Sequence, residues 1–388
     1  MNERRAIELV MRLMAIRGTS CEEADIAAAI IDILEEHSIG GSCISFDTAH
    51  KRTPRRGSVG NLIIKLPGTK RAGRILLSAH MDTVPICVGT EPKRVGQQII
   101  SANRSTGLGA DDRAGVAAIL TGLIEMLESG VAIPPLTLCF FVQEEIGLQG
   151  SRHLSVAKLG KIAMAYNFDG GSPFKLTIGA TGGERLRIVL NGLAAHAGLA
   201  PEAGASAIHA AGLAISQLHR QGWLGAVRKG KRQGTSNIGV IHGGAATNVV
   251  CDRVEIDAEA RSHDGAFRDE IASAIEAAFV TAARQVQSSG GQAVTADVVR
   301  RVDYESFRLP SDAPVVANAV AAVRSLGAEP VMAISNGGVD ANWLVRHGIP
   351  TVTMGCGQRE VHTTSESLDI KDFLAACRLV QELIRHAT

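Results

Sequence analysis

Hydrophobic positions change their rhythm twice along the chain. Over residues 5–37, Ile7, Leu9, Val10, Leu13 and Ile16, and then Ile26, Ala29, Ile30, Ile33 and Leu34, recur at helical spacing. Residues 19–23, Thr-Ser-Cys-Glu-Glu, have the look of a helix start with acids in its first turn. Two short apolar runs, 61–66 and 74–78, then predict buried strands. A glycine-rich stretch leads into a long helical pattern over 113–129, which Pro134 and Pro135 end. Runs at 136–142 and 163–168 predict two more buried strands. Continuous apolar strands alternating with helices predict a parallel or mixed α/β sheet covered on both faces.

Beyond residue 180 the rhythm is different. Residues 184–190 alternate like a half-buried strand, 205–218 read as a helix, and 236–241, 246–250 and 254–260 as strands. A helix over 266–286 and a strand over 294–299 complete a small α+β pattern with an exposed sheet. From 313 the first rhythm returns: helix 313–325, a short strand at 333–334, helix 340–347, strand 351–354 and helix 370–386. The reading is an α/β domain, 1–180 and 300–388, interrupted by an inserted α+β domain, 181–299. The basic stretch at 50–57 and the pair Gly230–Lys231 read as solvated loops.

Composition narrows the function classes. In 388 residues, 40 Lys and Arg balance 39 Asp and Glu, a net charge of +1. Such a chain has no global field to draw it onto nucleic acid or an anionic membrane. With 9 Phe, 2 Trp and 2 Tyr it is poor in base-stacking aromatics. Its most apolar run, 133–142, is too short for the roughly 20 residues of a membrane span. The first residues, Met-Asn-Glu-Arg-Arg, lack the apolar core of a signal peptide. The 7 cysteines are scattered, odd in number and free of Cys-x-x-Cys pairs, which suits a reducing compartment. The expectation is a cytoplasmic protein with no nucleic-acid or membrane partner.

Five motifs carry the candidate chemistry, each at a predicted strand end or in the loop after one, where open α/β sheets bind ligands. His80 and Asp82 stand two apart in Ser78-Ala79-His80-Met81-Asp82, so an extended backbone turns both to one side. A carboxylate so placed can fix the tautomer of a ligating histidine. Asp111 and Asp112 open the helix after Gly107-Leu108-Gly109, where acids are commonly caps but can also bridge two metal ions. Glu144 and Glu145 follow the strand at 136–142. Adjacent side chains diverge, so one can ligate while the other serves as general base. Asp169 follows the strand at 163–168, and His362 lies in Glu360-Val361-His362 after glycine-rich 355–357. Imidazole and carboxylate without thiolate suits Zn²⁺, Mn²⁺ or Co²⁺ in a hydrolytic two-metal site. No phosphate-binding Gly-x-x-x-x-Gly-Lys-Ser/Thr, Gly-x-Ser-x-Gly or His-Glu-x-x-His motif competes.

In this order the motifs resemble those of the M20 metallopeptidase family, and most of all its peptidase T-like (tripeptidase) members, over nearly the whole chain. The resemblance implies a mixed-sheet α/β catalytic domain of the di-zinc exopeptidase type with an inserted α+β lid and dimerisation domain. It implies two divalent metal ions, zinc first and manganese or cobalt as alternatives. His80, oriented by Asp82, and Asp169 would hold one metal, Glu145 and His362 the other, and Asp111 both; Glu144 would be the general base. Asp rather than Glu at position 169 leans towards aminopeptidase chemistry. The resemblance also assigns His196 to an oxyanion in the partner subunit's site, and Asn248, Arg261 and Asp340 to substrate. Arg113 stands for the family's usual Lys, and Cys251 for a frequent Pro. The implied activity is removal of the N-terminal residue from short peptides, tripeptides above all, by a homodimer. Two rivals remain: an amidohydrolase that deacylates or decarbamoylates N-substituted amino acids, and a non-catalytic metal-binding protein, against which the intact Glu144 counts.

Overall fold

The structure, a computed structural model, describes residues 1–387. Contacts cluster in two units: Met1–Ala180 together with the chain from Arg308 onward, and Thr181–Phe307.

The first unit is built on a nine-stranded mixed sheet. Its centre runs Leu62–Leu66, Leu136–Phe141, Arg74–His80, Ile162–Phe168, Thr351–Met354 and Lys175–Ala180. Every residue of Leu136–Phe141 is buried, as is Arg74–His80 from Ile75 onward. Continuous apolar runs of this kind belong in a sheet covered on both sides, where neighbouring strands can be parallel. Four neighbours are: Arg74–His80 runs parallel to Leu136–Phe141 and Ile162–Phe168, and Ile162–Phe168 parallel to Thr351–Met354. Their carboxyl ends therefore lie along one edge of the layer, with His80 opposite Phe141 and Phe168 opposite Met354. Leu62–Leu66 and Lys175–Ala180 flank this core antiparallel. The helix Ala110–Glu128 is buried almost all round, as an interior helix of an α/β layer must be. At Gly115 a Cβ would stand 2.3 Å from the Phe168 carbonyl oxygen, so only glycine lets the helix start sit this close to the sheet end.

This unit departs from the sequence reading in more than one place. The strand Lys175–Ala180 is absent from that reading. The glycine-rich stretch before the helix contains a hairpin, Pro92–Val95 and Gln98–Ser101. It joins Ser367–Asp369 and Gln358–Arg359 in a separate four-stranded sheet. Only Ile99 of the hairpin is fully buried, so no apolar alternation announces it. This small sheet closes residues 360–366 into a loop between two paired strands.

The second unit is a five-stranded antiparallel sheet, ordered Gly225–Lys229, Arg232–Gly243, Arg253–Ser262, Gly182–Asn191, Thr295–Tyr304. Helices Ala207–Arg220 and Gly265–Gln285 cover one face. There Ile188, Leu190, Val254 and Ile256 pack in one core with Phe267, Ile271, Ile275 and Phe279. The other face is polar, as the alternation along Arg253–Ser262 requires. Gly230–Lys231 is the hairpin turn between Gly225–Lys229 and Arg232–Gly243. The strand expected at 246–250 does not form. Its β-prone Val249 and Val250 find no neighbouring strand, and the main chain bonds instead to 195–197. Among the described residues no helix is long and apolar enough to cross a membrane, and all seven cysteines are free.

Candidate active site

The parallel strands deliver their acids and histidines to one place. His80 is the last residue of its strand, Asp169 follows Phe168, and Glu144 and Glu145 come three and four residues after Phe141. The helix Ala110–Glu128 brings Asp111, and the loop after Gln358–Arg359 brings His362. Three sets of potential ligand atoms each fall within 4.8 Å of one another: His80, Glu144 and Glu145; His80, Asp111 and Asp169; and Asp111, Glu145 and His362.

Asp111 is the shared member of the last two sets. One of its oxygens lies 3.1 Å from His80 Nε2, the other 3.3 Å from His362 Nε2. Against burial, which raises it, these two ring nitrogens hold the Asp111 carboxyl well below the usual range. Asp112 points elsewhere. Its oxygens accept the His80 backbone N–H (3.1 Å), the Gly115 N–H (3.1 Å) and the Gln358 side-chain amide (2.8 Å). It braces the strand end and the helix start and leaves Asp111 facing the histidines. His362 Nε2 also lies 3.0 Å from Glu145. Asp111 first and Glu145 second push its pKa up to about 10.

The other acids are crowded and buried. Burial raises the carboxyls of Glu144 and Glu145; the Glu145 charge adds to the first and the Asp111 charge to the second. Burial pushes Asp169 up to about 8, and the Asp111 charge adds to it. Asp340, fully buried, is pushed up to about 7 by burial. Packing this many carboxylates out of water is costly unless positive charge joins them. Arg113, the buried cation of this region, bonds through Nη2 alone to the carbonyls of Ile16 and Gly18, at 3.4 and 3.2 Å, and its charge acts first on Asp82 and Glu23, one cation against a larger number of acids. A donor set of imidazoles and carboxylates with unmet negative charge, one carboxylate reaching both histidines, fits a pair of divalent cations.

Asp82 does more than the sequence reading gave it. The partner of His80 Nδ1 is the Asp82 backbone carbonyl, at 3.0 Å; the nearer carboxylate oxygen is 3.5 Å away. The carboxylate itself accepts the backbone N–H groups of Glu144 (3.0 Å) and Glu145 (3.2 Å) and the Ser20 hydroxyl (2.6 Å). It thus sets the direction in which the acid pair leaves the strand. Glu23 works beside it: its Oε1 accepts the N–H of Gln143 (3.0 Å), a residue at φ 54, and of Cys21 (2.9 Å). Burial, with the Asp82 charge next, pushes Glu23 up to about 7. Ser20, Glu23 and Gln358 were not anticipated. Their partners are main-chain groups and acids far away in sequence, and no motif spacing reports such contacts.

His196, Asn248 and Arg261 belong to the second unit. His196 is exposed, and its Nδ1 accepts the N–H groups of Gly198 and Leu199, both at 3.2 Å. Asn248 is exposed in the loop that replaces the expected strand. Arg261 is half-buried and already paired with Glu259, at 3.0 and 2.9 Å, so its fork is not free.

Residues 76–386 match the profile of peptidase family M20/M25/M40. Over its whole length the chain is 32% identical to the uncharacterized protein YqjE of Bacillus subtilis (strain 168), covering 99% of it. It superposes on aminopeptidase PepT from Bacillus cereus ATCC 10987 with a TM-score of 0.85 at 31% identity, covering 100% of this chain and 99% of that one. With a tripeptidase from Staphylococcus aureus subsp. aureus mu50 the TM-score is 0.89 at 30% identity, covering 99% and 98%.

Proposed function

We propose that this chain, which belongs to peptidase family M20/M25/M40, releases the N-terminal residue of short peptides, tripeptides among them, with two divalent cations as cofactors. Family membership makes it a metallopeptidase. The observation that carries the reading is Asp111, one oxygen towards His80 and the other towards His362. On this reading His80 and Asp169 hold one cation, Glu145 and His362 the second, and Asp111 both. The native pair is zinc, with manganese and cobalt the alternatives. When bound, such cations make water acidic and polarise a carbonyl.

The protein's own groups do the rest. Glu144 takes a proton from the attacking water and returns it to the leaving amine, a role suited to a carboxyl raised by burial. Asp82 keeps Glu144 and Glu145 in register by holding both their N–H groups. His196 of a partner subunit steadies the developing oxyanion. Asn248 and Arg261 receive the carboxylate end of the peptide, with Arg261 exchanging its Glu259 partner for the substrate. Asp340 is the third substrate-binding residue. The remaining elements of the proposal are a homodimer formed through the inserted unit and a cytoplasmic location.

The experiment is product analysis by mass spectrometry. Metal-loaded protein is incubated with free di- and tripeptides and with N-acyl and N-carbamoyl amino acids, with and without chelator. Chelator-sensitive loss of the N-terminal residue from free peptides is expected. Cleavage confined to the N-substituted amino acids would replace the aminopeptidase reading with an amidohydrolase.

A further inference from the structure

The loop that carries His362 ends in an acid that neither the motifs nor the proposed reaction uses. Glu366 is only 2% exposed. Among the described residues it has no cationic side chain for its partner. Its Oε2 accepts two successive backbone N–H groups, Leu108 and Gly109, both at 2.8 Å, and the Cys87 thiol at 3.4 Å. Its Oε1 accepts the N–H of Asp111 at 3.1 Å. Successive N–H groups that converge on one point form a concave site for an anion, and here the anion is a side chain of the protein. Charged acceptors of this kind make the stronger hydrogen bonds.

We propose that Glu366 is a positioning residue whose carboxylate, seated among the N–H groups of residues 108, 109 and 111, locks the segment presenting Asp111 onto the segment presenting His362. The inference rests on the reading of Asp111 and His362 as ligands of the cation pair. It adds what holds them at a fixed separation. The two ligands come from distant parts of the chain, and no strand of the main sheet carries either. Glu366 is four residues past His362 and bonds directly to the amide of Asp111, so the shared carboxylate and the histidine cannot drift apart without breaking its bonds. Gly107 shows how tightly the two segments meet. A Cβ there would stand 2.9 Å from Glu366 Oε2, 3.0 Å from Cys87 Sγ and 3.1 Å from the Thr363 carbonyl oxygen.

The division of labour between the two oxygens makes the charge state matter as well as the shape. Glutamine is the same size but carries only one acceptor. With its oxygen towards Leu108 and Gly109, its amide N–H groups confront the N–H of Asp111. Turned over, it serves Asp111 and confronts the other two. Glu366→Gln therefore releases one side of the clamp with no change of volume.

The test compares wild type, Glu366→Gln and Gly107→Ala. Hydrogen exchange of the metal-free proteins is followed by mass spectrometry. Both variants are expected to exchange faster in peptides covering 107–111 while the sheet strands and the overall Tm stay close to wild type. Titration with Co²⁺ is expected to show affinity for the cation pair weakened about 10–100-fold, the usual loss when a group supporting a ligand is removed. With a tripeptide, kcat should fall and recover as Co²⁺ is raised, with KM nearly unchanged. Unchanged exchange at 107–111 together with unchanged Co²⁺ affinity would overturn the proposal, as would loss spread evenly over the whole protein. If wild type binds no Co²⁺, the functional reading fails on its own. The exchange data then still decide the clamp: faster exchange confined to 107–111 supports it, and unchanged exchange refutes it.

Discussion

The two units handle charge in opposite ways. On the polar face of the inserted sheet the arginines have acids beside them: Arg185 and Arg301 share Asp303, Arg187 meets Glu255 and Asp257, and Arg261 meets Glu259. Nearer its core Glu184 receives both Arg268 and Arg300. At the carboxyl edge of the main sheet, Asp111, Glu144, Glu145 and Asp169 gather with two histidines, Asp340 adds its charge to Glu144 and Asp169, and the nearby Arg113 acts first on Asp82 and Glu23. Charge settled within the fold is structural. Buried charge left unsettled requires a ligand to settle it, and is the better pointer to function.

Removing metal is the strongest way to break this contrast. A chelator should abolish peptide hydrolysis and lower Tm, because a cation that binds only the folded state stabilises it by about 2.7 kcal/mol at a hundredfold excess over its Kd. Calorimetry with and without Zn²⁺ checks this. A Tm that does not respond to chelator would mean the acid cluster is stable unaided and the contrast is false. Next in size is Glu144→Gln. It should lower kcat for a tripeptide by roughly 10²–10⁴-fold while metal content by elemental analysis stays unchanged. Metal lost along with activity would move Glu144 from base to ligand, a role that its place in one of the three ligand sets permits.

The same contrast explains what could be read from the chain. His80, Asp111, Glu144, Asp169 and His362 stand out in sequence because each follows a strand or opens a helix, and the parallel pairing of Arg74–His80 with two neighbours draws three of those segments together. The mixed sheet was legible for the same reason: fully buried strands are continuous apolar runs. The supports were not legible. Glu23 and Glu366 act through backbone N–H groups, and Gln358 through the Gly170 N–H, the Ala110 carbonyl and the distant Asp112 carboxylate; none of these contacts has a sequence signature, and the three look like any other polar residue. Asp82 shows the boundary between the two cases. Its spacing from His80 marks the pair, yet the carboxylate is turned to the amides of Glu144 and Glu145, a long-range contact that spacing cannot report. The hairpin at 92–101 and the loop at 244–250 fail in opposite directions: one is a sheet with almost nothing apolar to bury, the other an apolar pair with no strand to join.

Within the inserted unit the effects should be on stability. Glu184 is 4% exposed at its side chain and receives Arg268, itself 7% exposed. Glu184→Ala leaves that guanidinium with Glu305 as its remaining partner. Breaking such a buried pair should destabilise by up to about 3–5 kcal/mol, read by urea unfolding, with the metal stoichiometry unaltered. A change in metal content would mean that the units are not independent in their use of charge.

The smallest expected effect is the sharpest probe of the comparison. Arg187 is 57% exposed and pairs with Glu255 and Asp257, partners that are themselves exposed. Exposed pairs of this kind contribute little and weaken with salt. Arg187→Ala should therefore shift the unfolding midpoint only slightly, and the shift should shrink further at high ionic strength. The same side chain lines a cavity of about 580 Å³ on the polar face, with Arg185, Asn237, Glu259 and Arg301. If the face is only structural, KM for a tripeptide stays within about twofold, a change of roughly 0.4 kcal/mol. A severalfold rise in KM with Tm unchanged would show that these arginines give up their acids to a bound peptide. The paired charges would then be a reserve for substrate, and the contrast between the units would be one of timing.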